Sequence, residues 1–107
     1  MASADILRAA RARIEDPKNF CTGNYATDSK GRTVRPTSRK AARWCAYGAL
    51  RAEEAVIDGP ESKLLDTASI DLFDCVSPAT VNDKLGHAAV LQMFDAAIAA
   101  AEAEAGL

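Results

Sequence analysis

Cys45 and the chain's single histidine, His87, are the one pair of residues here whose types suit covalent catalysis. A thiol nucleophile needs a base within reach, and Asn82 or Asp83 would serve to orient the ring. No local signature surrounds either residue, and cysteine is among the most buried residue types, so the packing reading of Cys45 outweighs the catalytic one. Asn82-Asp83 is a second candidate. Both side chains accept hydrogen bonds from backbone amides ahead of a helix, so a cap or Asx-turn explains them fully. Asp71, Asp74 and His87 lie near them in sequence, but the spacing fits neither a calcium loop nor a zinc pattern, and neither a metal nor a cofactor is expected.

The third candidate is a run of cations. Lys30, Arg32, Arg35, Arg39, Lys40 and Arg43 fall within fourteen residues. Such a run suits an acidic protein surface or a phosphate backbone. No helix-turn-helix, zinc finger or set of base-stacking aromatics accompanies it, so an acidic protein surface is the first expectation and nucleic acid the alternative. The run belongs to a larger asymmetry. Through Arg51 the chain has eleven Lys/Arg against four acids, a net of +7; from Ala52 on, two bases face eleven acids, a net of −9. The overall charge of −2 conceals this division. A further account of it is that the basic half faces the acidic half, within one molecule or between two.

These residues must be positioned by helices for the most part. Alanine supplies much of the 49% hydrophobic content and aromatics only 6%, which favours close-packed helices over a sheet-rich fold. Ser3 is a plausible cap for a first helix, with Ile6, Leu7, Ala10 and Ile14 on one face and Pro17 ending it near Asp16. Between Asn24 and Arg35 the period changes. Tyr25-Ala26-Thr27 and Arg32-Thr33-Val34 flank the turn residues Asp28-Ser29-Lys30-Gly31, which predicts a short β-hairpin. Pro36-Thr37-Ser38 introduces a second helix. On it Trp44, Cys45, Gly48, Ala49, Ala52 and Val56 trace a face, ending at Asp58-Gly59-Pro60. A glycine inside a helix costs about 1 kcal/mol relative to alanine, so Gly48 beside Trp44 marks a place where another backbone crosses. Pro60 starts a third helix with Leu64, Leu65, Ala68, Leu72 and Phe73 as its stripe. A fourth carries Val90, Leu91, Phe94, Ile98 and Ala101, and Asn82 is its candidate cap.

The fold expected is mainly α, a compact four-helix domain with a short β-hairpin between the first two helices. Residues 1–107 form a single helical domain, large enough to bury roughly two-thirds of its unfolded surface. Trp44, Gly48, Asn82 and Asp83 are expected to be structural. No apolar run reaches the ~20 residues that a bilayer span needs. Met1-Ala2-Ser3-Ala4-Asp5 lacks an export pattern, so a soluble cytoplasmic protein without a membrane partner is expected. Cys21, Cys45 and Cys75 have neither metal nor redox spacing and read as free thiols.

The order Phe20…Gly23…Ala26…Asp28…Gly31, then Ala42-Arg43-Trp44-Cys45-Ala46-Tyr47-Gly48-Ala49-Leu50, then Asn82-Asp83 and Val90-Leu91…Phe94-Asp95…Ala97-Ile98, resembles a family of short bacterial and phage proteins of unknown function. Members often carry Trp where this chain has Phe20 and Val81. The resemblance implies a shared compact fold and brings no activity, cofactor or catalytic residue. The combined expectation is a non-enzymatic protein-interaction module of phage or mobile-element derivation, with a nucleic-acid binder and a Cys45 enzyme as alternatives. The alanine-rich last helix adds the expectation of a homodimer.

Overall fold

The computed structural model describes residues 2–106. Helix α1 spans Ser3–Ile14 and buries Ala4, Leu7, Ala10 and Ile14, the three- and four-residue spacing of one helical stripe. Ala2, not Ser3, is its N-cap; the Ser3 hydroxyl instead donates to Glu61 Oε2 at 2.5 Å. Pro17 forbids continuation, and a 3₁₀ turn over Pro17–Asn19 follows, with the Asp16 carboxylate accepting the Lys18 amide.

The hairpin forms, with a different ladder from the one expected. Strand β1, Ala26–Thr27, pairs antiparallel with β2, Arg43–Trp44. The Asp28–Gly31 turn does reverse the chain, with Gly31 at φ 81°, and residues 32–34 run back along the other side of β1 through one bridge, Thr27 to Thr33. Pro36 lacks the amide needed to continue, and two turns over 35–41 bring Arg43 to the free side of β1. Phe20 bridges Trp44 from the far side, completing four short rows in the order 32–34, β1, β2, 20–21.

Residues 37–44, expected in the second helix, are therefore turn and strand. Arg39 and Lys40 in a first helical turn would oppose the helix dipole. Extended backbone at Cys45, ψ 179°, delays the helix until Ala46. Helix α2 covers only Ala46–Ala52; Glu54 leaves it in a left-handed conformation, and Val56 is 66% exposed rather than in the core stripe. Helix α3, Pro60–Phe73, starts with proline in its first turn and stops at Asp74, which takes the left-handed cap position. Leu65 and Ala68 are buried, whereas Leu72 lies outside the buried stripe and is exposed.

A short helix α4, Pro78–Thr80, runs into a π-helical turn over Val81–Leu85, so five α-helices stand among the described residues where four were expected. Gly86, at φ 90°, separates that turn from α5, His87–Ala105. Helix α5 packs against α1 and α3 through Val90, Met93, Phe94, Ala97 and Ala101, all buried. The core gathers these with Leu7, Ile14, Leu50, Leu65 and Val81. The fold is compact, with a radius of gyration of 12.7 Å. None of the described helices is long and apolar enough to cross a membrane.

Candidate interaction cleft

The 23–25 and 33–37 segments, α2 and the stretch from α4 into the π-helical turn border an open cleft of about 1030 Å³. Its floor is fixed by a backbone crossing. A Cβ on Gly48 would sit 1.7 Å from the carbonyl oxygen of Tyr25, so only glycine lets the 23–25 segment lie against α2. That carbonyl also accepts the Cys45 amide at 3.1 Å.

One wall is held by Asn82, which is 2% exposed and fully hydrogen-bonded. Its Oδ1 accepts the amide of Ala46, the first residue of α2, at 2.9 Å. Its Nδ2 donates to the Cys21 carbonyl at 3.1 Å and to Asp83 Oδ1 at 3.0 Å. Asp83 Oδ1 also receives the Gly23 amide at 3.2 Å. Asn82 therefore caps α2 across the fold, and neither it nor Asp83 caps α5, whose N-cap is Gly86. The π-helical turn puts both residues on the side facing the 21–23 loop and α2.

Trp44 lies on β2 and not on a helical face with Gly48. Its indole donates to the Pro36 carbonyl at 3.0 Å, and the Arg13 guanidinium stacks over its ring at 5.1 Å. Because Pro36 lines the cleft, the only tryptophan supports the opposite wall.

The cysteine and histidine have separate occupations. Cys45 Sγ accepts the Gly48 amide at 3.2 Å as the cap of α2. Burial pushes its thiol up despite that bond. Burial, with Cys45 close by, pushes the Cys21 thiol up to about 11. His87 Nε2 stands 2.6 Å from the Ile14 carbonyl and must carry the proton, since a carbonyl only accepts. Its ring meets Phe20 edge-on at 5.1 Å. No hydrogen bond among the described residues joins Cys45 to His87, and no set of three His, Cys, Asp or Glu among them is placed to hold a metal.

The cations divide into two groups. Those of α1 meet the acidic half of the chain: Arg8 pairs with Glu102, Arg11 with Asp95 and Arg13 with Glu53. Arg11 Nε reaches Asp95 Oδ1 at 2.7 Å without aiming its hydrogen at that oxygen. In the loop, Arg32 pairs with Asp28 at 2.8 Å, and Arg43 donates to the Asp28 carbonyl. Two backbone amides, Arg32 and Lys30, also bond the Asp28 carboxylate and hold its carboxyl below the usual range, the Arg32 amide most strongly. Lys30, Arg35, Arg39 and Lys40 make no ion pair among the described residues.

Of the six cations, only Arg35 lines the cleft; Lys30 and Arg32 sit at the hairpin turn, and Arg39 and Lys40 in the turns beyond. Arg51, Tyr25 and Tyr47 also line it and escaped the sequence reading. Arg51 reads as the polar back of a helix, and Tyr25 as a strand residue. Only the Tyr47-Gly48 dipeptide hinted at the cleft, because a glycine notch places its neighbour beside whatever crosses. The Tyr47 hydroxyl donates to Asp66 Oδ1 at 2.8 Å, and burial, followed by that carboxylate, pushes its pKa up and keeps the phenol neutral.

Fold and site together define a small, mainly helical domain with an open cleft bordered by Arg35 and Arg51, which have no ion pair among the described residues. The chain belongs to the family of unknown function DUF6197, whose match covers residues 1–100. No curated protein and no solved structure matches it.

Proposed function

We propose that the domain is a non-enzymatic protein-interaction module that receives an acidic partner on the 30–40 loop and the adjoining cleft. One observation carries this reading: the arginines of α1 are matched by acids of the chain itself, while Lys30, Arg35, Arg39 and Lys40 are left without ion pairs among the described residues. Four uncompensated cations on one loop attract an acidic surface and speed its encounter. The test is capture of polyglutamate by the purified protein at low salt. Capture is expected to fall sharply in a triple variant with Arg35, Arg39 and Lys40 changed to Glu, and equal capture by the variant would sink the reading.

Nucleic acid would use the same cations, with Tyr25, 49% exposed, as the one exposed aromatic among the described residues on which a base could stack. A mobility-shift titration distinguishes the two, since duplex DNA bound more tightly than polyglutamate would favour the nucleic-acid reading. A Cys45 enzyme has less behind it, because the thiol caps a helix and His87 is engaged elsewhere. A homodimer has less behind it too: Glu102 and Asp95, which would draw a second chain's arginines to α5, are taken by Arg8 and Arg11. A cytoplasmic setting and a phage or mobile-element origin accompany the proposal, and genomic neighbourhood is the observation that tests the origin.

A further inference from the structure

The 32–34 row is the outer row of the small sheet, and its outward edge is open. The Arg32 carbonyl accepts the Asp28 amide, and the Val34 amide donates to the Ala26 carbonyl, so these two groups point inward to β1. Alternation then turns the amide and carbonyl of Thr33, and the amide of Arg35, the other way. None of these three makes a backbone hydrogen bond among the described residues. Thr33, Val34 and Arg35 also line the cleft, and Arg51 reaches it from α2. Both arginines are exposed and without ion-pair partners among the described residues. An unpaired strand edge beside a roomy cleft is a template for an added strand, and two free guanidiniums set the sign of its side chains.

We infer that the cleft binds an extended acidic peptide, added as a strand to the Thr33–Arg35 edge with its carboxylates on Arg35 and Arg51. Backbone pairing supplies affinity that any extended chain would gain. Strand geometry sends alternate side chains to the same face, so acids at every second position meet the arginines together. Guanidinium–carboxylate pairs then favour acidic over neutral segments. The inference rests on the proposed acceptance of acidic partners and adds the conformation in which the partner is held.

The test uses the full chain and a synthetic peptide of about eight residues that alternates glutamate with threonine and valine. A control has the same composition with its glutamates contiguous. Trp44 reports binding through fluorescence, because its indole is bonded to the cleft-lining Pro36. The alternating peptide is expected to bind at least about tenfold more tightly than the control and to slow amide exchange at Thr33 and Arg35. Arg35→Glu and Arg51→Glu are each expected to weaken it about tenfold or more. Thr33→Pro removes an amide the fold does not use, together with the hydroxyl bond to Asn24 Oδ1, which Thr33→Val removes alone. The proline variant is expected to weaken binding well beyond the valine variant, with the helical circular dichroism of both unchanged. If the proline variant fails to fold, exchange at the Thr33 amide of the unaltered chain decides. Equal affinity for both peptides, or unslowed exchange at Thr33, overturns the added strand. Polyglutamate capture then shows separately whether acceptance of acidic partners survives. Duplex DNA that displaces the peptide at equal charge concentration overturns the inference in favour of nucleic acid.

Discussion

Gly48 and Asn82 hold the cleft by opposite means, one by what it lacks and the other by what it reaches. A methyl group at Gly48 has nowhere to go, since the obstacle is the Tyr25 backbone and not a side chain that can swing away. Gly48→Ala is expected to cost about 3 kcal/mol in chemical denaturation, because relief of the clash would also stretch the Cys45–Tyr25 hydrogen bond. Asn82→Ala leaves the buried Ala46 amide without its acceptor and is expected to cost about 2–3 kcal/mol in the same measurement. Cys21 governs an alkaline limit. Its thiol stays neutral in the fold up to about 11, while an unfolded thiol ionises near 9.0. The stability it contributes is complete below about pH 9 and is lost as pH rises toward 11. Comparison of urea midpoints for the unaltered chain and Cys21→Ala across that window is expected to show a shallower fall in the variant. The glycine was legible in the sequence because a helical glycine is costly enough to need a reason. The reach of Asn82 was not, since its partner lies thirty-six residues earlier and its amide chemistry fits a local cap equally well.

Elements divide in the same way. Helices α1, α3 and α5 each run twelve residues or more, long enough for apolar spacing to repeat and for proline or glycine to mark an end. Strands β1 and β2 have two residues each, and two residues carry no period. The 37–44 segment was misread because Trp44, Gly48 and Ala52 happen to fall at helical spacing. Its strand conformation is imposed by neighbours 16 and 18 residues back along the chain. The Asp28 turn, by contrast, is local and legible. It carries its own pH dependence: a carboxyl held below the usual range stabilises the fold above about pH 4, and that stabilisation is lost as pH falls through the lowered folded value. The protection factor of the Arg32 amide, with the intrinsic pH dependence of exchange divided out, is expected to fall on acidification, and Asp28→Asn is expected to remove most of that response.

At the scale of the whole molecule, the two charged halves of the chain are brought together along α1 and α5, and the loop cations stand apart from that seam. Exposed ion pairs such as Arg8–Glu102 contribute under about 1 kcal/mol each. Raising salt is therefore expected to lower the unfolding free energy by about 1 kcal/mol or less, while capture of an acidic probe falls steeply. Urea denaturation and probe titration over one salt series check both halves of this statement. A large loss of stability with little change in capture would show that the charge division serves folding.

The bond from Asn82 to the start of α2 also orders events in time. Seven residues are too few to hold a helix in water, so α2 has no independent existence before tertiary contacts form. The bond at its first turn comes from residue 82 of a chain of 107. During synthesis the basic loop therefore emerges well before the structure that shapes it, and the edge at Thr33 acquires its cleft only after the π-helical turn has docked. A nascent chain halted ahead of Asn82 would display the cations on an unformed loop, with charge enough to attract an acidic surface and no groove to hold it.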